Sequence, residues 1–162
     1  MAWTDGLLID RGVNPAVVTL EITETELMSD PILAMEVLGK LKSLGVSTSI
    51  DDFGTGYSSL SYLKNLPIDE LKIDRSFVGS MVHDDSDLTI VRSTIDLSHN
   101  LGLGVVAEGV EDAETLRRLA DLGCDRVQGY HLSRPVPGEE LSAWVRSGVW
   151  RETRYRFVEG ED

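Results

Sequence analysis

Short apolar segments alternate with longer amphipathic segments along this chain. Five short segments, most of them rich in β-branched residues, have the length of buried strands: Val17–Ile22, Val46–Ile50, Leu71–Ile73, Gly104–Ala107 and Arg126–Tyr130. Short, continuous apolar runs are typical of parallel strands that are covered on both faces. The pattern therefore predicts an α/β fold built on a parallel sheet.

The segments between the predicted strands have helical periodicity and recognisable ends. Ser29 or Asp30 precedes one predicted helix, Asp112 precedes another that ends at Gly123, and Glu139 to Arg146 form the last. Aspartate and serine are favoured helix N-caps, and glycine commonly ends a helix. We expect the apolar stripes of these helices to pack against the sheet.

Polar side chains lie at or just past the end of every predicted strand. In chain order they are Glu21 and Glu24, Asp51 and Asp52, Lys72 and Asp74, Glu108 and Glu111, and Gln128. Several strand ends contribute to the active site of a (β/α) barrel, whereas an open sheet uses its switch point. Because a complete barrel needs about 200 residues or more, the 162-residue chain predicts a partial TIM (β/α) barrel. It would contain about five strand–helix units and lack N-terminal strands.

The adjacent carboxylates of Asp51 and Asp52 indicate either a cation site or a turn that caps the following helix. Burying unpaired carboxylates is costly unless a cation or hydrogen bonds compensate them, but aspartate is also common in turns and caps. Together with Glu21 and Glu108 they form an all-oxygen ligand set, which favours Mg²⁺ or Mn²⁺ over zinc. Two such ions can clamp a phosphodiester.

Lys72 is predicted to be the only basic residue of this rim. It would orient a water molecule or neutralise charge that develops on phosphorus. The alternative is a salt bridge with Asp74 or with a neighbouring carboxylate. A Schiff-base role, as in a barrel lyase or aldolase, is disfavoured because nearby carboxylates raise the pKa of a lysine.

Composition limits the class of ligand and the environment. The net charge of −13 argues against binding to nucleic-acid polymers, which requires a basic face. No apolar run is long enough to cross a membrane, and the single cysteine, Cys124, cannot form an internal disulfide. We therefore expect a cytoplasmic protein without a membrane segment in this chain.

Five ordered motifs resemble those of the EAL-domain family of bacterial signalling proteins. They are Leu20–Glu24, Asp51–Leu60, Leu71–Asp74, Ala107–Glu111 and Gln128–Tyr130. The resemblance implies a TIM barrel with a two-metal site for Mg²⁺ or Mn²⁺. It also implies hydrolysis of cyclic di-GMP, a cyclic dinucleotide, to linear pGpG.

The resemblance also implies a role for each matching residue. Glu21 is similar to a metal-ligating glutamate, Asp51 to a metal-bridging aspartate, and Asp52 and Glu108 to ligands of the second metal. Glu108 also resembles a general base, and Lys72 resembles the lysine beside the attacking water. Glu24 resembles the anchor of the loop formed by residues 53–59, and Glu111 and Gln128 resemble groups that line the substrate pocket.

The chain departs from the family pattern at its N-terminal side. It lacks the Glu-Ala-Leu sequence, the asparagine of the next strand and the arginine that meets the substrate phosphate. We therefore expect residues 1–148 to form a truncated EAL-type barrel domain, followed by a charged tail at residues 149–162. Phosphodiesterase activity is predicted to be impaired in this chain alone. The alternative is a catalytically inactive module that binds cyclic di-GMP or another protein.

An open barrel also predicts self-association. Its first strand would form an exposed edge, and its inner surface is expected to be apolar. Both features favour pairing with another chain.

Overall fold

Five parallel strands form one sheet in this computed structural model, which describes residues 10–54 and 60–147. The strands are β1 (Thr19–Thr23), β2 (Ser47–Phe53), β3 (Glu70–Ile73), β4 (Gly104–Ala107) and β5 (Arg126–Val127). They lie in chain order, and each is hydrogen-bonded in parallel to the next. Strand order that follows chain order, with helices between the strands, is the topology of part of a (β/α) barrel. The predicted partial barrel is therefore confirmed.

Helices lie between these strands and pack on one face of the sheet, and a further helix follows the last strand. They are α1 (Glu24–Ser29), α2 (Pro31–Ser43), α3 (Leu60–Leu63), α4 (Arg75–Val78), α5 (Asp85–Asn100), α6 (Ala113–Asp121) and α7 (Gly138–Ser147). Asp30, rather than Ser29, is the N-cap of α2, and Asp112 caps α6 as predicted. None of the helices in the described ranges is both long enough and apolar enough to cross a bilayer. The predicted tail, residues 149–162, lies outside the described residues.

Four strands differ in length from their predictions; the third is longer by one residue, Glu70, and the other three differ for a local reason. The first strand starts at Thr19 because Pro15–Val17 form a 3-10 turn. The second continues through an irregular register to Phe53. The fifth ends at Val127, where the chain bends to exchange backbone hydrogen bonds with the loop that follows β4.

The two faces of the sheet differ in polarity. Alternate strand residues, among them Ile50, Leu71 and Val105, pack with the helices in two apolar clusters. Side chains of successive strand residues point to opposite faces, so the residues between them face away from those helices. That face holds the ion pair of Glu70 with Arg126 and the charged cluster described below. The predicted apolar inner surface is therefore wrong for the described strands, whose inner face is mainly polar.

Candidate active site

The Lys72 ammonium group joins the ends of four strands. Its Nζ lies 2.8 Å from Oε2 of Glu21, 3.1 Å from Oδ1 of Asp51 and 2.6 Å from Oε1 of Glu108. The Lys72 side chain is only 5% exposed. In the described part of the chain Lys72 makes no ion pair with Asp74, so of the two predicted salt bridges the one with neighbouring carboxylates is present.

The electrostatics of this cluster keep Lys72 protonated. Burial by itself lowers the pKa of the ammonium group, but hydrogen bonds to Glu108, Glu21 and Asp51 outweigh it. The net result is a pKa raised above the ordinary value of lysine. A neutral amine for Schiff-base chemistry is thus disfavoured, and Lys72 acts as a fixed positive charge.

Asp52 does not join the Lys72 cluster through a salt bridge but lies beside it. Its backbone has a φ of +56°, which is uncommon for a residue other than glycine. Burial and the neighbouring charges of Asp51 and Asp74 raise the pKa of its carboxyl group. The pKa of Asp74, in contrast, is lowered overall. Burial alone would raise it, but hydrogen bonds from Ser76 outweigh that effect. Among the causes that act on Asp52, the charge of Lys72 acts in the opposite direction and lowers the pKa of Asp52, but the raising effects outweigh it.

Glu24 contacts the first residues of the loop that the resemblance assigns to it. Its side chain is buried, and its Oε2 accepts a hydrogen bond of 3.2 Å from the backbone N–H of Gly54. Gly54 has a φ of +100°, and a Cβ added there would lie 3.3 Å from Cε2 of Phe77. The contact holds the start of the loop. Residues 55–59, which continue it, lie outside the described residues.

A cavity of about 490 Å³ opens beside the Lys72 cluster. Its lining includes Glu108 and the two predicted substrate-binding residues, Glu111 and Gln128. Glu108 therefore belongs both to the ion-pair cluster and to the cavity. The predicted site residues are thus brought to one side of the sheet, with Glu24 supporting the neighbouring loop.

Two cavity residues were missed by sequence reasoning. Arg75 and Arg134 both line the cavity, so the prediction that Lys72 is the sole basic residue of the rim is wrong. Arg75 follows directly on the Leu71–Asp74 motif, and this adjacency was the available signal. Arg134 follows Tyr130 by four residues, and its guanidinium carbon lies 4.5 Å from the centre of that ring.

The donor set of this site suits a hard divalent cation, but its spacing does not form a complete cage. Carboxylate oxygens are the ligands that Mg²⁺ and Mn²⁺ prefer. Among the described residues, however, no three acidic, histidine or cysteine side chains are grouped so that they could hold one ion. Three of its carboxylates, those of Glu21, Asp51 and Glu108, already share the Lys72 ammonium group.

Comparison with known proteins places this architecture in a family. The chain matches the model of the EAL domain over residues 1–135. It is 46% identical over 138 residues to the bifunctional diguanylate cyclase/cyclic di-GMP phosphodiesterase MucR of Pseudomonas aeruginosa, which covers 85% of this chain and 20% of MucR. It is 45% identical over 150 residues to the cyclic di-GMP phosphodiesterase NbdA of the same species, which covers 93% of this chain and 18% of NbdA. The chain thus spans about a fifth of the length of these relatives.

Solved structures show the same relationship. The MucR phosphodiesterase in complex with c-di-GMP superposes with a TM-score of 0.82 at 44% identity, over 86% of this chain and 58% of that one. Klebsiella pneumoniae BlrP1, solved as calcium and manganese complexes with c-di-GMP, superposes with a TM-score of 0.77 at 36% identity. That match covers 83% of this chain and 34% of BlrP1. With a family match over most of its length and this strand-end cluster, the chain belongs to the EAL domain family.

Proposed function

We propose that this chain forms the strand-end site of a phosphodiesterase domain that hydrolyses cyclic di-GMP to linear pGpG. The observation that carries the proposal is the cluster of Lys72 with Glu21, Asp51 and Glu108. It directly adjoins the cavity lined by Glu111 and Gln128. A fixed cation beside a ligand cavity suits a reaction in which negative charge develops on phosphoryl oxygens.

The residues of this cluster have complementary roles in the proposed reaction. Lys72 stays protonated and would stabilise negative charge on the phosphoryl group. Glu108 would accept a proton from the attacking water as the general base. The oxygen of that water forms a bond to phosphorus while the bond from phosphorus to one ribose oxygen breaks. That oxygen takes up a proton from solvent to become a hydroxyl group, and the dinucleotide ring opens.

A divalent cation, Mg²⁺ or Mn²⁺, would be held chiefly by Asp51, Asp52 and Glu108, with Glu21 nearby. When bound, such an ion supplies Lewis-acid stabilisation and an activated water, and a complete domain is expected to hold two. Because Lys72 already shares three of these carboxylates, binding is expected to be weak. Calorimetric titration should show no micromolar Mg²⁺ affinity. A dissociation constant in the micromolar range would contradict the expected weak binding.

A second candidate function is a module that binds cyclic di-GMP without hydrolysing it. The spacing of the described acidic residues favours it, because no three of them are grouped to hold an ion. The cavity, in contrast, is formed in the described residues. On this reading the fold and the ligand pocket are kept while turnover is low or absent.

One pair of assays separates the two functions. Hydrolysis by the purified chain with Mn²⁺ is followed by chromatography of pGpG, and cyclic di-GMP binding is measured separately by calorimetry. We expect binding with little hydrolysis, and Asp51→Asn should remove whatever hydrolysis is present. Asp96→Asn, an exposed aspartate on α5, serves as the matched control.

Each outcome of these assays decides between the proposals. Robust hydrolysis that Asp51→Asn abolishes would establish the enzyme and refute the impairment. Binding without pGpG would establish the module. A chain that neither binds nor hydrolyses cyclic di-GMP would overturn both.

A further inference from the structure

We propose that Arg75 determines base specificity by donating hydrogen bonds to O6 and N7 of a guanine held in the cavity. The inference rests on the proposed function, because it requires a guanine dinucleotide as ligand. It adds a residue that neither the sequence motifs nor the Lys72 cluster assigns.

Arg75 lies at the cavity, and its charge acts on the neighbouring Asp74, whose pKa it helps to lower. It is the first residue of α4, two residues after the end of β3, and its side chain is exposed. It lines the cavity together with Glu108 and Glu111. No hydrogen bond or ion pair takes up its guanidinium group within residues 10–54 and 60–147. Its five N–H donors are therefore available to a ligand.

The backbone around Arg75 fixes where its side chain starts. Gly109 has a φ of +70°, and a Cβ added there would lie 2.4 Å from Cβ of Arg75 and 3.2 Å from its Cα. The loop after β4 can therefore close onto α4 only because residue 109 is glycine. The same loop is held from its other side by Gly129, whose added Cβ would lie 2.1 Å from the backbone oxygen of Val110. The backbone from which the Arg75 side chain extends is thus closely packed, and it lies beside the cavity that Glu108 also lines.

The lining of the cavity suits a neutral heterocycle better than a phosphate. It contains two arginines and two glutamates, so its formal charge is zero. Apolar groups complete the wall: Tyr130, Pro135, Val136 and Leu141. A flat base can pack against such a wall, whereas a phosphate would gain nothing from it and would be repelled by the glutamates.

Guanine matches the polar groups of this lining. Its O6 and N7 are acceptors on one edge, and arginine is their commonest partner in sequence-specific recognition. A carboxylate such as Glu111 can accept hydrogen bonds from the donors of guanine on the opposite edge. Arg134 already lies over the Tyr130 ring, which leaves Arg75 as the uncommitted arginine of the cavity. Adenine would present an amino donor in place of O6, so Arg75 would disfavour it.

The test compares two ligands on three forms of the protein. Dissociation constants of cyclic di-GMP and cyclic di-AMP are measured by calorimetry for the wild type, Arg75→Gln and Arg92→Gln. Arg92 is an exposed arginine on α5 outside the cavity lining and provides the matched control. Arg75→Gln should weaken cyclic di-GMP binding about 5- to 150-fold, the range of one bidentate base contact. It should leave cyclic di-AMP binding no weaker, because adenine gains nothing from the arginine and glutamine can pair with its N6 and N7. Arg92→Gln should change neither dissociation constant.

The possible results separate this inference from the proposed function. If the wild type prefers cyclic di-GMP and Arg75→Gln keeps that preference, the role of Arg75 is refuted while the proposed function stands. Equal weakening of both dinucleotides would show a phosphate contact and would also refute base reading. If the wild type binds neither dinucleotide, the proposed function fails and this inference fails with it.

Discussion

Replacing Lys72 by methionine removes the cation on which three carboxylates converge but keeps an unbranched side chain of similar length. Removing one partner of a buried ion pair costs about 3–5 kcal/mol, because the remaining charge stays desolvated and unpaired. Glu21 is 49% exposed and can be rehydrated, so its carboxylate contributes less to this free-energy cost. We therefore expect Lys72→Met to lower the free energy of unfolding by about 3 kcal/mol, at the lower end of that range.

An exposed lysine of this chain provides the matched control. Lys40 forms an ion pair with Glu36 one helical turn away, and their side chains are 53% and 60% exposed. A surface pair of this kind contributes only about 0.3–0.5 kcal/mol. Lys40→Met applies the same chemical change and should therefore leave the free energy of unfolding almost unchanged.

The assay is urea unfolding followed by far-UV circular dichroism, with free energies from linear extrapolation. The pKa of Lys72 is raised in the folded state above its ordinary value of 10.5. Its stabilising contribution is therefore fully present below that value and is lost as the pH rises through the folded-state pKa. The difference between wild type and Lys72→Met should be constant near neutral pH and should shrink only in strongly alkaline solution. A Lys72→Met variant as stable as Lys40→Met at pH 7 would refute the argument.

Three further predictions concern packing, thiol reactivity and assembly. Gly129→Ala should destabilise the fold severely in thermal melts, because its Cβ would lie 2.1 Å from the Val110 backbone oxygen. Gly123→Ala has open space around it and should cost about 1 kcal/mol through its positive φ. Equal losses of stability in the two variants would contradict this prediction. Burial raises the pKa of Cys124 to about 11, so alkylation at pH 8 should require unfolding, and rapid labelling of the native protein would be the contrary result. We expect self-association through the β1 edge, seen as a mass that rises with concentration in light scattering; a concentration-independent monomer would argue against it.

Short-range rules made much of the fold predictable from the sequence. The alternation of strands and helices follows from local periodicity, and the caps at Asp30 and Asp112 follow from hydrogen bonds made within a few residues. The polar residues at strand ends were also predictable, because the C-terminal ends of parallel strands lie at one rim. These signals need no knowledge of distant contacts.

The partners of the site residues were decided by the tertiary structure. Glu21, Lys72 and Glu108 are far apart in the chain, and only strand order and register bring them within ion-pair distance. The position of Arg75 in the cavity depends on the close approach of Gly109, which no local pattern encodes. The polarity of the inner face had the same origin, since a residue's face is set by its register in the sheet. Side-chain chemistry was thus readable from the sequence, whereas the pairing of charges required the folded sheet.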